Sequence, residues 1–340
     1  MKIKFAFAGF RHGHIFGLLS AVQAAENCTF VAACEEDQQA REELAANGTV
    51  ELTHDNYERM LSDIDCDAVA IGDYYGKRGQ MAIRALEAGK HIILDKPICT
   101  SLAELDQIAE LATAKGLAVG CQLDLRASPA LNMMRNLIRA GKIGEVLTMT
   151  FTAQHPLMLD SRPKWYFEPG CHGGTINDIA IHAMDIIGWL TGREIVEIVA
   201  ARTWNGKTPS LPHFNDCAQL MLRLDNNGGV LGDVSYLAPD KCGYSVPQYW
   251  RITCHGSGGV LETQAGQDTV LLAGNSDEEP RVLPAKDKPE SSYLQDFVKE
   301  INGEKSAGAL TTERVLRASR LALMTEEAAQ KSQCNVECAP

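Results

Sequence analysis

The first third of this chain alternates short apolar runs with helical patterns, and no other feature narrows the fold as much. Ile3–Ala8 is a continuous apolar-rich run ending at a glycine, after which Ile15, Leu18, Leu19 and Val22 recur at helical spacing. Further runs stand at Phe30–Cys34, Ala68–Ile71, His91–Leu94 and Leu117–Cys121. Between them lie helical stretches over Tyr57–Leu61, from about Gln80 to Ala88, and from the capping box Ser101-Leu102-Ala103-Glu104 to Gly116. Such alternation predicts a parallel sheet covered on both faces, and right-handed crossovers make it doubly wound.

The pattern changes near residue 123. A helix over Pro129–Ala140 leads to a strand at Val146–Thr152 and then to a strongly apolar helix around Thr175–Leu190. Consecutive strands follow at Ile195–Arg202, Ala218–Leu224, Val230–Tyr236, Trp250–His255 and Val260–Glu262, with hairpin signals at Asn226–Gly229 and Gly256–Gly259. Adjacent strands of this kind predict a second domain, α+β, built on a large, mostly antiparallel open sheet. The expected divisions are 1–122 for the α/β domain, 123–332 for the second, including a helix over Thr311–Gln330, and 333–340 as a loose tail.

Composition removes some classes of function. The 340 residues carry a formal charge of −12, and phosphate backbones require a basic face, so no nucleic-acid partner is expected. The first apolar run is too short for a signal-peptide core and no run approaches a membrane span, so a cytoplasmic location without membrane attachment is expected. Eleven scattered cysteines read as reduced thiols, and Cys334 with Cys338 lacks a histidine partner, so no metal is expected.

The turn after the first strand reads Gly9-Phe10-Arg11-His12-Gly13-His14. A full dinucleotide fingerprint has glycine at its first, third and sixth positions; here only Gly9 fits, and Gly13 is displaced by one. A plain strand-to-helix turn explains the same residues. The position between strand and helix nevertheless suits a pyrophosphate at a helix N-terminus, as in a Rossmann domain. The second strand ends in Cys34-Glu35-Glu36-Asp37, where an acidic residue is expected to bond the adenosine ribose. Glu35 is the first candidate and Glu36 the second, and a carboxylate there favours NAD over NADP. Gly72, Asp73, Tyr74, Asp95, Lys96 and Gln122 close later strands and complete the expected cofactor contacts.

Lys96 follows the fourth strand, where ligands of such sheets bind. In Gly173–Asp185, Asp178 and His182 are four residues apart on one helix face, with Asp185 continuing the stripe. Apolar residues surround most of that helix, so the polar stripe is either solvent-facing or put to use, as when a carboxylate tunes a histidine base. Together these motifs resemble the Gfo/Idh/MocA family of oxidoreductases. The family's Glu-Lys-Pro appears as Asp95-Lys96-Pro97, its Arg-x-x-Pro as Arg126-Ala127-Ser128-Pro129, and its Gly-Gly…Asp-x-x-x-His as Gly173 to His182. The sequence departs from the family in its degenerate glycine turn, in Gly72-Asp73-Tyr74-Tyr75 where Thr-Pro-Asn is common, and in aspartate at residue 95.

The resemblance implies an NAD(P)-dependent dehydrogenase oxidising a secondary hydroxyl of a sugar, sugar derivative or cyclitol. Lys96, Asp178 and His182 would be catalytic: His182 takes the hydroxyl proton, Lys96 steadies the oxygen, and Asp178 binds substrate and tunes the pair. Arg126, His155, Trp165 and Tyr166 are added as substrate contacts expected near the cleft between the domains, with His213 a weaker candidate. Two alternatives share the resemblance: an NAD-dependent glycoside hydrolase with transient redox chemistry, and a non-catalytic NAD-binding sensor. The open sheet predicts a homodimer or homotetramer.

Overall fold

The computed structural model describes residues 2–286, 289, 291–304 and 306–338. Its first elements are β1 (Ile3–Ala8), α1 (His14–Ala24), β2 (Cys28–Cys34), α2 (Gln38–Asn47), α3 (Tyr57–Asp63), β3 (Ala68–Ile71), α4 (Tyr75–Glu87), β4 (His91–Leu94), α5 (Leu102–Lys115) and β5 (Val119–Cys121). Next come α6 (Pro129–Arg139) and β6 (Val146–Pro156). A π-helical turn, Ile176–Ala180, runs into α7 (Ile181–Thr191). The strands β7 (Ile195–Trp204), β8 (Cys217–Leu224), β9 (Gly229–Ala238), β10 (Arg251–Gly256), β11 (Gly259–Gln264), β12 (Thr269–Gly274) and β13 (Arg281–Pro284) precede α8 (Tyr293–Ile301), α9 (Thr312–Gln330) and β14 (Cys334–Glu337).

Two compact units result. The first comprises Met1–Gln122, Pro163–Gly173 and Tyr293–Ser319; the second comprises Leu123–Arg162, Gly174–Ser292 and Arg320–Pro340. The first unit holds a five-stranded parallel sheet in the order β2-β1-β3-β4-β5. Residues of β1 and β3 are buried on both faces almost without interruption, as parallel strands covered by helices must be. Local signals set the helix ends. The Ser101 hydroxyl accepts the Glu104 N–H to open α5, and Gly116 ends it in the left-handed conformation at φ 65°. The core of this unit joins Phe5, Phe7, Leu18 and Ile93 to Leu294, Phe297 and Val298 of α8, with Phe5 and Phe297 ring centroids 6.2 Å apart. The segment after α8 is fastened to β5: the Val119 N–H donates to the Thr312 hydroxyl at 2.8 Å.

The second unit holds a nine-stranded mixed sheet, β13-β12-β11-β10-β6-β9-β8-β7-β14, antiparallel except where β6 runs parallel to β9. Alternating burial along β8 and β9 shows one face packed and one open. The cap before α6 is as read from the sequence: Ser128 accepts the Leu131 N–H, and Pro129 stands first in the helix, where its missing N–H costs nothing.

Three sequence expectations need correction. The tail begins as an edge strand: Cys334–Glu337 pairs with β7, and only residues 339 and 340 lie outside the described part. Helix α4 starts at Tyr75, five residues before the expected start. The helix around Thr175–Leu190 is α-helical only from Ile181, since a π turn precedes it.

Helix α8 closes the first unit's core chiefly through Phe297. Replacing Phe297 with alanine is expected to cost about 3–5 kcal/mol of stability, measured by urea unfolding.

Candidate active site

In the first unit the site grows from the turn after β1. Gly9 has φ +75°, and a Cβ there would lie 2.6 Å from the Asp73 Cβ, so only glycine lets the turn pass the end of β3. The His12 N–H donates to the Gly72 carbonyl at 3.1 Å and sets the turn's height. Helix α1 begins at His14 with Gly13 before it; no side chain caps this end, and a Cβ on Gly13 would meet nothing within 4 Å. An uncapped helix N-terminus with open space in front suits an anion such as a pyrophosphate.

The end of β2 differs from expectation. Glu35 is fully buried and turned inward, where its carboxylate accepts the Phe10 N–H at 2.6 Å and the Asp37 N–H at 2.9 Å. Burial raises its pKa, partly offset by those two bonds. Glu35 therefore braces the glycine turn instead of presenting itself to a ribose. The neighbouring carboxylates are the accessible ones. Glu36 accepts the Tyr57 N–H and pairs with Lys77 at 2.9 Å, while Asp37 pairs with Arg11 at 3.2 Å. Lys77 also reaches Asp73 at 3.0 Å, and the Arg11 guanidinium lies 5.8 Å from the centre of the Tyr74 ring.

Lys96 is buried just beyond β4, and a residue that sequence reasoning passed over holds its backbone. Arg78 of α4 is fully buried. Its Nη1 donates to the carbonyls of Asp95, Lys96 and Pro97 at 3.0, 2.7 and 3.1 Å, its Nε to the Asp73 carbonyl at 2.7 Å, and its Nη2 to the Asp95 carboxylate at 2.8 Å. His12 Nδ1 sits against the same carboxylate, and His14 Nδ1 is 3.1 Å from it. Burial alone would raise the Asp95 pKa, but His12, Arg78 and His14 hold it well below the usual carboxylate range. His12 Nε2 faces the Tyr166 and Tyr75 hydroxyls at 3.1 and 3.2 Å.

His12, His14 and Asp95 each bring one donor atom within 4.8 Å of the others, the kind of grouping a metal ion uses. The Arg78 guanidinium already neutralises Asp95, which weakens that use. Trp165 and Tyr166, expected as substrate contacts, are both buried in this unit; the Trp165 Nε1–H donates to the Arg11 carbonyl at 3.3 Å. Gln122 donates to the His14 carbonyl and the Tyr293 hydroxyl, both at 3.2 Å, and its buried Oε1 accepts no hydrogen bond among the described residues. The open helix end, the space at Gly13 and this spare acceptor fit a dinucleotide.

In the second unit the site centres on the π turn and α7. A Cβ on Gly174, at φ +100°, would strike the Glu326 carboxylate at 2.1 Å. That carboxylate, from α9, is buried and accepts the Ile176 N–H at 2.9 Å, capping the helix from 150 residues away. Burial raises the pKa of Glu326 against the pull of the Ile176, Gln330 and Asn177 bonds. Asp178 accepts a hydrogen bond from the Tyr236 hydroxyl on β9, and the His182 ring meets Trp250 edge-on at 5.5 Å. His182 Nδ1 lies 3.7 Å from Asp124 Oδ1, in the short 3-10 turn Asp124–Ala127. Arg126 of the same turn forms a two-point pair with Asp185 at 2.8 and 2.5 Å. His155 packs among Tyr236, Tyr244 and Tyr249 at centroid distances of 6.3, 5.5 and 5.2 Å, and His213 is exposed. A π turn is common at functional sites because its wider ring re-aims the following side chains, which an i, i+4 reading does not foresee.

Residues 3–123 match the description of an oxidoreductase family with an NAD-binding Rossmann fold, and residues 131–262 match the GFO/IDH/MocA C-terminal domain. The chain therefore belongs to the Gfo/Idh/MocA oxidoreductase family. Levoglucosan dehydrogenase of Pseudarthrobacter phenanthrenivorans is 28% identical over 270 residues, spanning 72% of this chain and 68% of that enzyme. Myo-inositol dehydrogenase Hyg17 of Streptomyces leeuwenhoekii is 26% identical over 265 residues, or 76% of each chain. The fold matches that of an inositol dehydrogenase homologue from Azotobacter vinelandii solved with NAD+ (TM-score 0.81, 15% identity, 99% of this chain and 98% of that one). It also matches an NAD-binding protein from Listeria innocua (TM-score 0.78, 20% identity, 99% and 97%).

Removing the buried guanidinium leaves a buried carboxylate uncompensated. Arg78→Met is expected to lose about 3–5 kcal/mol of stability in urea unfolding.

Proposed function

We propose that this protein is an NAD-linked dehydrogenase that oxidises a secondary hydroxyl of a sugar, sugar derivative or cyclitol. The observation that carries the reading is the Arg78 cage, which gives one fully buried guanidinium to the backbone on both sides of a single lysine, Lys96. A residue held this way is pre-organised to act on charge that develops in a reaction. Family membership and the names of relatives, levoglucosan and inositol dehydrogenases among them, support the polyol class.

A nicotinamide dinucleotide, when bound, supplies the hydride acceptor. The chain's own residues do the rest. The α1 N-terminus and the Gly9–Gly13 turn would hold the pyrophosphate, and Gln122 would offer its spare Oε1 as an acceptor. Asp37 and Glu36 are the carboxylates able to meet an adenosine ribose, favouring NAD, although Arg11 and Lys77 beside them soften the rejection of a 2′-phosphate. Lys96 hydrogen-bonds the reacting oxygen and lowers the cost of its negative charge. His182 accepts the hydroxyl proton, and Asp178, bonded by Tyr236, orients the substrate.

Lys96→Ala is expected to bind NAD as the native protein does while kcat falls by at least about 10²-fold. The measurement pairs NAD titration with a panel of sugars, inositols and sugar acids, each assayed with NAD and NADP. NAD binding without turnover of any compound by the native protein would count against a dehydrogenase.

A homo-oligomer through the open sheet face is part of the proposal. Leu147, Met221, Leu231 and Leu237 are about half exposed there, around a concavity of about 500 Å³ lined by Phe151, Ala201, Met221 and Leu231. No disulfide joins the eleven cysteines among the described residues, and eight of them are buried, which supports a reducing cytoplasm. Leu231→Asp is expected to shift the protein to monomer in light scattering; an unchanged mass would place the interface elsewhere.

A further inference from the structure

We propose that Asp124 is a positioning residue for His182, holding the imidazole by Nδ1 so that Nε2 is the atom that takes the substrate proton. The inference rests on the dehydrogenase reading and adds a residue to it. Asp178 was the expected carboxylate partner from spacing alone. The fold bonds Asp178 to the Tyr236 hydroxyl and also sets Asp124 Oδ1 3.7 Å from His182 Nδ1.

Two points of contact fix this arrangement. Asp124 and Arg126 stand two apart on one 3-10 turn, and His182 and Asp185 stand three apart on α7. The bidentate Arg126–Asp185 pair, both side chains buried, locks turn to helix and determines where Asp124 falls. Trp250 also meets the imidazole, edge-on at 5.5 Å. Its backbone is held at φ +51°, a conformation uncommon for a large side chain, and its ring is buried. The imidazole thus has an indole on one side and a carboxylate near one nitrogen.

Within the second unit, Asp124 is a carboxylate placed beside His182 Nδ1. From the histidine's own helix, Asp185 is spent on Arg126, and Asp178 one turn earlier is bonded by Tyr236. From the strand side come Trp250, without charge, and Tyr249, whose hydroxyl burial keeps far above its ordinary pKa and therefore neutral. The Asp124 side chain is 70% exposed, so it is hydrated and plays no part in the core. At 3.7 Å the contact is longer than a hydrogen bond; such contacts tighten when charge appears on the ring. As the hydroxyl proton moves to Nε2, the positive charge is shared with Nδ1–H, which donates to Asp124. The alcohol's C–H electron pair would leave as hydride, which a bound nicotinamide would accept, so atoms and charge balance.

The test is Asp124→Asn, nearly identical in size and uncharged. Ring-nitrogen NMR of the full-length protein, with His182 assigned through His182→Gln, reads the titration without needing turnover. Removing a nearby anion destabilises the imidazolium, so the His182 midpoint is expected to fall by about 0.5–1 pH unit, a shift discounted for exposure. The acid limb of kcat/KM should move to lower pH by the same amount, with kcat on the plateau reduced roughly tenfold and KM for NAD unchanged. Asp124→Glu should restore the native midpoint in part. An unchanged or raised midpoint in Asp124→Asn overturns the inference. So does a midpoint shift with no matching shift in the rate profile. A native protein that turns over no polyol would fail the dehydrogenase reading alone, because the NMR midpoint still decides the pairing.

Discussion

One buried ion pair, Arg78 with Asp95, governs much of the first unit. A guanidinium sealed from water must fill its donor sites, and Arg78 fills them with the carbonyls of Asp73, Asp95, Lys96 and Pro97 and the Asp95 carboxylate. The pair is not needed for stability as such, since well-packed apolar side chains often serve as well. Its value is geometric. It pins the chain just past β4, where an ordinary loop would be free to wander, and so fixes the backbone from which Lys96 projects. The same carboxylate gathers His12 and His14 from the glycine turn, so turn and strand end are set against one another.

Much of this was legible in the sequence. Apolar runs broken by glycines gave the strands of the parallel sheet, and Ser101, Ser128, Pro129 and Gly116 mark helix ends through their own chemistry. What escaped did so for physical reasons. Arg78 looks like a surface residue of an amphipathic helix, because its acceptors are backbone carbonyls that carry no sequence signature. Helix α8 was detectable: Leu294, Phe297, Val298 and Ile301 recur at helical spacing, though a charged, proline-rich stretch before them masks the start. Strand β14 could not be told from a tail, since it is polar and gains its order from pairing with β7.

The catalytic candidates divide in the same way. Lys96, Asp178 and His182 can be picked from motifs, but their partners cannot. Glu35 had the right position for a ribose and the wrong orientation, because two backbone N–H groups inside the turn compete for its carboxylate. Asp178 and His182 had helical spacing, yet Asp178 lies within a π turn and His182 in the regular helix that follows it, and each has a neighbour of its own in Tyr236 and Asp124. A spacing of four places two residues on one face only in an unbroken α-helix, and π turns are frequent at functional sites.

The Glu326 cap has a consequence for how the protein is made. The N-terminal end of the π turn and α7 is complete only when a residue 150 positions later arrives to accept the Ile176 N–H, into space that Gly174 leaves by lacking a Cβ. At about 5–20 residues per second on the ribosome, that interval lasts roughly 8–30 s. During it, the helix carrying Asp178 and His182 must wait with open donors at its start. The nascent chain therefore carries Asp178 and His182 through that interval before the carboxylate that caps their helix has been synthesised.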